Sequence, residues 1–526
     1  MIIKSLAIAS AVLLSASGSP QAAEDLSRYD VPLTEEQAGA DAVILLQTGL
    51  LEVDKPDKSI FELHVVKKIL RTRRSEEGIF TFPDSRQMKI LSIKARAVHK
   101  DGREEEISGK DVPRIPSFGD FVLYSDWFMR LVAFEGTRQG TIIDVSVRWE
   151  IASPVYWPSA SFQGDIPFLE NSFTLKHRIG RDVRITALNM EPAPQETVEY
   201  GGWRELRWSY FNIEPFKEEK MMPPPEQYKP CLFFDPLGTQ ELGADLDLST
   251  WQGLSDWYAT LSADRLQSGA RVRKMLGELG VEKAGDRAAA SAIFDHVARN
   301  VRYVAIYLGL GGLQPHYAEE VAEKLYGDCK DQSILLVALL RGAGIEAFPV
   351  LVRTADRGRL EGIQPRTAYF NHMIAAAVLD GGIVYLDPTC RTCSFGNVPS
   401  GIQGAHALHI RPGDNGLITL PMEAGAGNVL ETSCVITIDE QGNASIRDVL
   451  ECKGSYAELA RFIFDRSGGE SREKAVRKIL PGGYPFAEVE TVDVSGEQIS
   501  SEIVRVEAGY SIPGFTRDKS RFFLDA

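Results

Sequence analysis

A single cysteine stands between aspartates in the segment Tyr-Gly-Asp-Cys-Lys-Asp-Gln-Ser, residues 326–333. The apolar run Ile-Leu-Leu-Val-Ala-Leu-Leu follows directly and predicts a buried helix, because its apolar residues surround the helix axis almost completely. Asp328 is a favourable N-cap, and Asp331 three residues later suits a capping box, so Cys329 is expected at the first helical position. A thiolate there faces free backbone N–H groups and the positive end of the helix dipole, which makes Cys329 a candidate nucleophile.

The two aspartates oppose this effect, so an activated thiol also needs a base. Among the eight histidines, His372 has a carboxylate partner in a usable place. The segment FNHMIAAAVLDGGIVYLDPT predicts a β-hairpin whose two-residue loop is Asp380-Gly381. In that register Asp387 faces Ile374 and is a diagonal neighbour of His372, about 7–8 Å away between backbones and within reach of a side-chain hydrogen bond. The carboxylate would fix the imidazole tautomer and leave the other ring nitrogen for the thiol.

A cysteine at a helix start, with a histidine and an aspartate on neighbouring strands, is the arrangement of papain-like enzymes. The backbone N–H of Cys329 is the natural donor to an oxyanion, and Gln314 could add a side-chain amide, as a glutamine does in papain-like enzymes. Each residue also has a structural interpretation. Cys329 could be a buried thiol near a helix cap, and His372 could be an ordinary strand histidine. Asp387 could open a turn before proline, and Gln314 could be a loop residue that faces solvent.

The longer stretch GGLQPHYAEEVAEKLYGDCKDQSILLVALLRGAGIEAFPVLV, followed by FNHMIAAAVLDGGIVYLDPT, resembles the core of bacterial transglutaminase-like proteins over about residues 285–412. The strand-rich region before it resembles the domain of unknown function that often precedes such cores in exported bacterial proteins. The resemblance implies a triad of Cys329, His372 and Asp387 that attacks an amide carbonyl of a protein or peptide. It also implies a thioester that water or an amine then resolves, with no cofactor.

Length, charge and the first residues indicate the compartment and exclude some functions. The 526 residues suffice for about three domains. A net charge of −15 lacks the basic footprint of nucleic-acid binding. Lys4, the apolar stretch SLAIASAVLLSAS and small residues after it predict a signal peptide over residues 1–23, cleaved after Ala22 or Ala23. The mature chain, which has no later transmembrane stretch, is therefore expected outside the cytoplasm, in the periplasm if the source is Gram-negative.

Three regions of different pattern follow the signal peptide. Residues 24–235 alternate with period two, as in IIDVSVRWEI, and predict an antiparallel β-sandwich-like domain. Residues 245–425 have helix patterns first and strand patterns afterwards, which predicts an α+β core. Residues 426–526 are mostly strand-like, with one helix predicted in SYAELARFIFDRSG. The sequence indicates no oligomeric state.

Six cysteines gain importance if the protein is exported, because thiols pair in oxidising compartments. Disulfides are predicted for Cys390–Cys393, with C-x-x-C spacing, and for Cys434–Cys452, which flank a hairpin-like pattern. Cys231 and Cys329 would remain. A zinc site formed by Cys390, Cys393, His406 and His409 is an alternative, but the histidine gap is one residue short and strand alternation separates the histidines. No metal is therefore predicted.

A second functional hypothesis belongs to another class. More than half of the chain lies outside the core-like segment. The protein could therefore be a non-catalytic scaffold or binding protein that uses its strand-rich flanks. Retention of function after loss of Cys329 would favour that hypothesis over an enzyme.

Overall fold

The computed structural model describes residues 32–516 except 56, 72–74, 118–121, 126, 221, 225–226, 242–243, 308–312, 361–363, 414–415, 466–471, 480–486 and 499–500. The predicted signal peptide, residues 1–23, lies outside the described residues. Within the described ranges no helix has the length and apolar character needed to cross a membrane.

Up to residue 246 the described chain forms one short helix, α1 (Glu35–Ala38), and then strands. The strands are β1 (Ala42–Lys55), β2 (Lys58–Ile69), β3 (Ile79–Asp84), β4 (Met88–Val98), β5 (Glu104–Ser108), β6 (Arg114–Pro116), β7 (Val122–Ser125), β8 (Phe128–Ala133), β9 (Ile142–Ile151), β10 (Ala160–Ser161), β11 (Phe168–Arg178), β12 (Val183–Leu188), β13 (Glu196–Tyr200), β14 (Trp203–Ile213), β15 (Cys231–Pro236), β16 (Thr239–Glu241) and β17 (Ala244–Leu246).

The N-terminal region is built on an eight-stranded sheet of order β13-β14-β11-β1-β2-β9-β4-β5. Two three-stranded sheets, β3-β8-β6 and β10-β15-β12, share a core with it. Phe82 of the first lies 6.0 Å from Trp149 between ring centroids, and Phe234 of the second lies 5.0 Å from Phe173. The predicted antiparallel arrangement is wrong for one pair, because β1 and β11 run parallel. Alternation reveals which face of a strand is buried, whereas the direction of its partner depends on contacts far along the chain.

The central region begins with helices and ends with a sheet. Its elements are α2 (Trp251–Ser262), α3 (Ala270–Leu279), α4 (Asp286–Asn300), β18 (Arg302–Tyr303), β19 (Ala305–Tyr307), α5 (Ala318–Lys324), β20 (Tyr326–Gly327), α6 (Cys329–Gly342), β21 (Ala347–Arg353), β22 (His372–Leu379), β23 (Gly382–Leu386), β24 (His406–His409) and β25 (Leu417–Thr419).

Helix α6 is the centre of this region. Its residues from Ile334 to Leu340 have no exposed surface, as the uninterrupted apolar run predicts. The helix packs with α3, α4 and α5 against Ala375 and Ala377 of an antiparallel sheet of order β23-β22-β21-β24-β25. The central region also contacts the N-terminal region, because β19 pairs in parallel with β7.

The C-terminal region contains β26 (Leu430–Ile438), β27 (Ala444–Lys453), α7 (Ser455–Asp465), α8 (Arg472–Ile479), β28 (Glu488–Ser495) and β29 (Ile503–Ile512). The strands form an antiparallel sheet of order β26-β27-β29-β28. Helix α7 was predicted, and its small residues Ala457 and Ala460 pack closely on the sheet beside Ile446 and Tyr510. Helix α8 was not predicted.

The cysteines pair only partly as expected. Cys390 and Cys393 form a disulfide, whereas Cys434 and Cys452 are free thiols. The predicted bond between Cys434 and Cys452 is wrong because of the hairpin register. Cys434 lies opposite Asp448, and Cys452 lies opposite Leu430. Four residues of strand separate the two thiols, about 13 Å, which is too far for a disulfide.

Candidate active site

The N-terminus of helix α6 positions the candidate nucleophile. The Asp328 carboxylate accepts hydrogen bonds from the N–H groups of Lys330 at 3.1 Å and Asp331 at 3.3 Å. The Asp331 carboxylate accepts one from the Asp328 N–H at 3.2 Å, which completes the predicted capping box. Cys329 therefore occupies the first helical position, half-buried. Gly327 permits the tight entry, because a Cβ there would lie 2.5 Å from the Cβ of Asp331.

Both capping carboxylates have side-chain partners, and sequence reasoning missed the one that His316 supplies. Lys330 is 6% exposed and forms a buried ion pair with Asp328, which is 1% exposed. His316 donates its backbone N–H to Asp331 at 2.8 Å, and its Nδ1 lies 3.1 Å from the same carboxylate. The hydrogen bond to Asp331 raises the pKa of His316, although partial burial opposes it. Burial acts to raise the pKa of Asp331, but His316 and Lys330 hold it below its usual value. His316 lies in the loop before α5, and no local pattern points to its contact with Asp331.

The candidate base has the predicted hairpin register. Leu379 pairs with Gly382 and Ala375 with Leu386, around the loop Asp380-Gly381. Both loop residues have positive φ, 53° and 77°, as a two-residue hairpin turn with an Asp-Gly sequence requires. The register brings Nε2 of His372 to 2.8 Å from Oδ2 of Asp387. The diagonal cross-strand hydrogen bond expected from the sequence is therefore present.

A second contact, with Thr389, fixes the Asp387 carboxylate. Oδ1 of Asp387 accepts hydrogen bonds from the Thr389 N–H at 2.9 Å and from the Thr389 hydroxyl at 2.7 Å. Burial acts to raise the pKa of Asp387, but His372 and then Thr389 hold it below its usual value. Asp387 therefore remains a buried carboxylate that presents Oδ2 to the imidazole.

Cys329 completes the arrangement. Because Nε2 of His372 faces Asp387, Nδ1 is the ring nitrogen left to interact with the neighbouring Cys329 thiol. Burial acts against protonation of His372, but the Asp387 charge and the Cys329 thiol raise its pKa well above the usual value. A protonated imidazole beside the thiol stabilises a thiolate, the form of cysteine that attacks carbonyls.

The thiol lies against an apolar wall. Trp257 and Tyr258 of α2 pack in one cluster with Met373, Leu408 and the partly buried Cys329. The Tyr258 hydroxyl donates to the carbonyl oxygen of Leu313 at 2.8 Å. Burial raises the pKa of Tyr258 well above its usual value, and the Cys329 charge adds to this. Tyr258 therefore remains neutral, and the low-polarity surroundings strengthen the charge interactions of the pair.

Gln314 has another partner in the structure. Its Nε2 donates to the carbonyl oxygen of Leu261 at the end of α2, at 3.2 Å. Its proposed part in an oxyanion hole therefore stays a prediction. The cap geometry points more directly to the Cys329 N–H, because Asp328 accepts from Lys330 and Asp331 instead.

The N-terminal region holds the loop that leads to His372. Arg366 is 5% exposed, and its Nε lies 3.0 Å from Oδ1 of Asp235 in β15. Arg184 donates to the carbonyl oxygen of Pro365 at 2.8 Å. The ring of Tyr369 meets Phe233 edge to face, with centroids 5.8 Å apart. No local sequence pattern predicts these contacts, because their partners lie more than 100 residues apart.

The zinc alternative has no support from the geometry. His406 Nδ1 accepts from the Leu360 N–H at 3.0 Å, whereas His409 Nε2 faces the Tyr385 hydroxyl at 3.0 Å. The two histidines therefore serve different neighbours, as strand alternation predicted. Cys390 and Cys393 are bonded to each other.

Residues 274–388 match the family model described as the transglutaminase-like superfamily, which confirms the resemblance seen in the sequence. A presumed protease from Parabacteroides distasonis has a similar fold, with a TM-score of 0.57 at 14% identity, covering 90% of this chain and 93% of that chain. A presumed cysteine protease from Cytophaga hutchinsonii gives a TM-score of 0.20 at 13% identity, covering 68% and 82% of the two chains. An M1 zinc metallopeptidase from Deinococcus radiodurans gives 0.21 at 10% identity, covering 39% and 46%.

Among curated proteins, none matches this sequence. Of these three structures, the P. distasonis protein is similar enough to interpret, and at 14% identity it shows the fold alone. The family match spans both Cys329 and Asp387.

Proposed function

We propose that this protein is an exported cysteine enzyme that cleaves or transfers an acyl group of a protein or peptide amide through a thioester on Cys329. The observation that carries the proposal is the series Cys329, His372 and Asp387, in which the imidazole is hydrogen-bonded to Asp387 at 2.8 Å and has its pKa raised by the Cys329 thiol. The series joins a nucleophile at a helix N-terminus to a base that a buried carboxylate orients, which is the arrangement acyl transfer needs.

Each group has a step in the reaction. The Cys329 thiolate attacks the amide carbonyl, and the Cys329 N–H at the helix N-terminus donates a hydrogen bond to the developing oxyanion. The carbon–nitrogen bond breaks as protonated His372 gives its Nδ1 proton to the leaving amine. Neutral His372 then takes a proton from water or from an acceptor amine, whose attack releases the acyl group. Asp387 stays ionised and holds the ring.

Two observations support the substrate class and the compartment. The matched superfamily and the P. distasonis protein, described as a presumed protease, agree with an amide substrate. The positive residue, apolar stretch and small residues of the first 23 positions support export. Mass spectrometry of the native protein tests export directly, because a mature N-terminus at residue 23 or 24 is expected and retention of Met1 would contradict it.

The activity is tested by alkylation of Cys329 with iodoacetamide at pH 6.5, read by mass spectrometry of its peptide. An ordinary thiol with a pKa of about 8.5 is only ~1% thiolate at that pH. Cys329 in the folded protein is expected to react at least about tenfold faster than in the urea-denatured chain. Cys434, which is exposed and free, provides an internal control in the same sample. Equal rates for folded and denatured Cys329 would overturn the proposal.

The scaffold hypothesis is separated from the enzyme by Cys329→Ala in the cell of origin. If the protein is an enzyme, the Cys329→Ala strain should lose the same cellular function as a strain that lacks the whole chain. If the protein is a scaffold, the Cys329→Ala strain should keep that function, because the strand-rich regions remain folded. Comparable amounts of the two proteins in the cell are the required control.

A further inference from the structure

The segment after Asp387 is a short closed loop. The Cys390 N–H donates to the carbonyl oxygen of Asp387 at 3.1 Å. Thr389, the residue directly before Cys390, holds the Asp387 carboxylate by its N–H and its hydroxyl. The disulfide between Cys390 and Cys393 then closes the loop. The side chain that orients His372 is thus held by the residue that directly precedes a covalently closed loop.

The C-terminal region holds the same loop from outside. Arg461 of α7 is 3% exposed, and its Nη1 donates to the carbonyl oxygen of Thr392 at 3.0 Å and to Oγ of Ser394 at 3.1 Å. Its Nη2 donates to the carbonyl oxygen of Ser501 between β28 and β29. Ser394 also donates to Ser501 at 3.2 Å. One buried guanidinium therefore joins the disulfide loop to the C-terminal sheet.

Glu458 adds a second contact from α7, because positions three apart lie on one face of a helix. A carboxylate oxygen of Glu458 and the sulfur atoms of Cys390 and Cys393 lie within 4.8 Å of one another. Burial raises the pKa of Glu458, and the Asp387 charge adds to this. Asp387, Glu458 and Arg461 are therefore charged groups close to the loop, which itself contains Arg391.

We propose that the Cys390–Cys393 disulfide is a redox-sensitive positioning site for the acyl-transfer centre. While the disulfide is intact, Thr389 stays hydrogen-bonded to the Asp387 carboxylate, and the carboxylate stays hydrogen-bonded to His372. Opened, the disulfide frees the loop, and the imidazole loses the fixed orientation that serves Cys329. The inference rests on the proposed function of that triad and adds a modification site to it.

Opening the disulfide needs a dithiol as reductant. A thiolate of the dithiol attacks Sγ of Cys390, which is half-buried, rather than Sγ of Cys393, which is 2% exposed. The Cys390–Cys393 bond breaks, its electron pair stays on Cys393, and Cys393 takes a proton. The second thiol of the dithiol then displaces Cys390 from the mixed disulfide. The products are two cysteine thiols and a cyclic disulfide of the reductant, so two electrons and two protons are transferred.

The first test is the double variant Cys390→Ser with Cys393→Ser, studied without reductant. Iodoacetamide alkylation of Cys329 is measured between pH 5 and pH 9. The rate at pH 6 is expected to fall about tenfold, because loss of one hydrogen bond to a charged group corresponds to that factor. Cys434→Ser serves as the matched control and is expected to keep the parent profile. A double variant with the parent profile would overturn the proposal.

Two further measurements keep the test decisive if the double variant folds poorly. Parent protein is treated with dithiothreitol, freed of it under argon, and checked by intact mass for a gain of two hydrogens before alkylation. Thr389→Val, which removes the hydroxyl but not the shape, is expected to lower the rate at pH 6 about threefold to tenfold. Thr389→Ser keeps the hydroxyl and is expected to restore it. Equal rates in both Thr389 variants would contradict positioning through Thr389.

The outcomes distinguish this proposal from the proposed function. If His372→Ala does not change the alkylation profile of Cys329, the triad itself is wrong. If His372→Ala flattens the profile but opening the disulfide does not change it, the triad stands and only the positioning role of the disulfide fails.

Discussion

Cys329 and Cys434 are both free thiols beside aspartates, yet their surroundings differ in kind. At Cys329 the neighbouring carboxylates are occupied: Asp328 by backbone N–H groups and Lys330, and Asp331 by His316. At Cys434 the carboxylate of Asp448 lies directly across the β26–β27 pair. Although Cys434 is largely exposed, partial desolvation and the hydrogen bond to Asp448 raise the pKa of its thiol to about 11.

The difference teaches that an aspartate near a cysteine does not by itself decide reactivity. The deciding feature is which groups interact with the aspartate carboxylate. A carboxylate that caps a helix and pairs with a cation leaves the thiol to its base, whereas a carboxylate that faces the thiol keeps the thiol protonated. The two sites can be made more alike or more different by single substitutions.

The largest effect is expected from Lys330→Met, which leaves Asp328 charged and unpaired beneath Cys329. Breaking a buried ion pair costs about 3–5 kcal/mol in the free energy of unfolding. Urea denaturation followed by tryptophan fluorescence measures the change. The matched control is Lys324→Met, which breaks an exposed pair with Glu320 and should cost under about 0.5 kcal/mol. Equal losses would mean that the Asp328 charge is engaged elsewhere.

The next effect is expected from His372→Ala, which removes the base of Cys329 and has no contact with Cys434. Without the imidazolium, alkylation of Cys329 at pH 6.5 should fall about 100-fold, towards the thiolate fraction of an ordinary thiol. Cys434 should react as before. A loss shared by both cysteines would indicate unfolding instead of loss of the base, and circular dichroism checks this.

A smaller effect is expected from Asp448→Asn, which removes the charge that faces Cys434. The pKa of Cys434 should fall, so alkylation of this thiol at pH 8.5 should rise about threefold to tenfold. The asparagine can still accept the hydrogen bond that the Tyr510 hydroxyl makes at 2.7 Å. Glu451→Gln in the same strand is the control, and it should leave Cys434 unchanged. An unchanged rate in Asp448→Asn would assign the high pKa to burial alone.

The smallest effect concerns pH and His316. A histidine whose folded pKa is raised contributes stability below its unfolded pKa, about 6.5, and this is lost as pH rises through the folded value. His316→Gln should therefore lower the free energy of unfolding by about 0.5–1 kcal/mol at pH 5.5 and by much less at pH 9, after allowance for solvent screening.

His296 supplies a control of opposite sign for His316. Burial lowers the pKa of His296, so its neutral form is favoured in the folded chain. His296→Gln should therefore show its stability loss at high pH, not at low pH. Parallel trends in the two variants would contradict the ion pair between His316 and Asp331.

Local signals predicted the positions of the candidate nucleophile and base well. The capping box spans three residues and the hairpin turn only two, so each is decided by short-range geometry that the sequence states directly. The same reasoning was wrong for Cys434 and Cys452. The five-residue turn Asp439–Asn443 sets a register that places Asp448, not Cys452, opposite Cys434.

The contacts that support the site were not predictable from local pattern. His316 reaches Asp331 from a loop, Arg366 reaches Asp235 from another region, and Arg461 reaches Thr392 across 69 residues. Such partners are chosen by the folded arrangement of whole regions. Arginine and lysine are usually exposed, so the sequence does not reveal which of them are buried in the folded protein.

The short parallel pairing of β7 with β19 has a consequence for dissecting the molecule. Residues 305–307 take their hydrogen-bonded neighbour from residues 122–125, so the central region borrows an edge from the N-terminal one. In a fragment that begins after residue 235, β19 would lack its partner strand β7, and Arg366 would lack its ion-pair partner Asp235. Unpaired edges recruit other chains, so such a fragment should self-associate, and enzymology requires the N-terminal and central regions together.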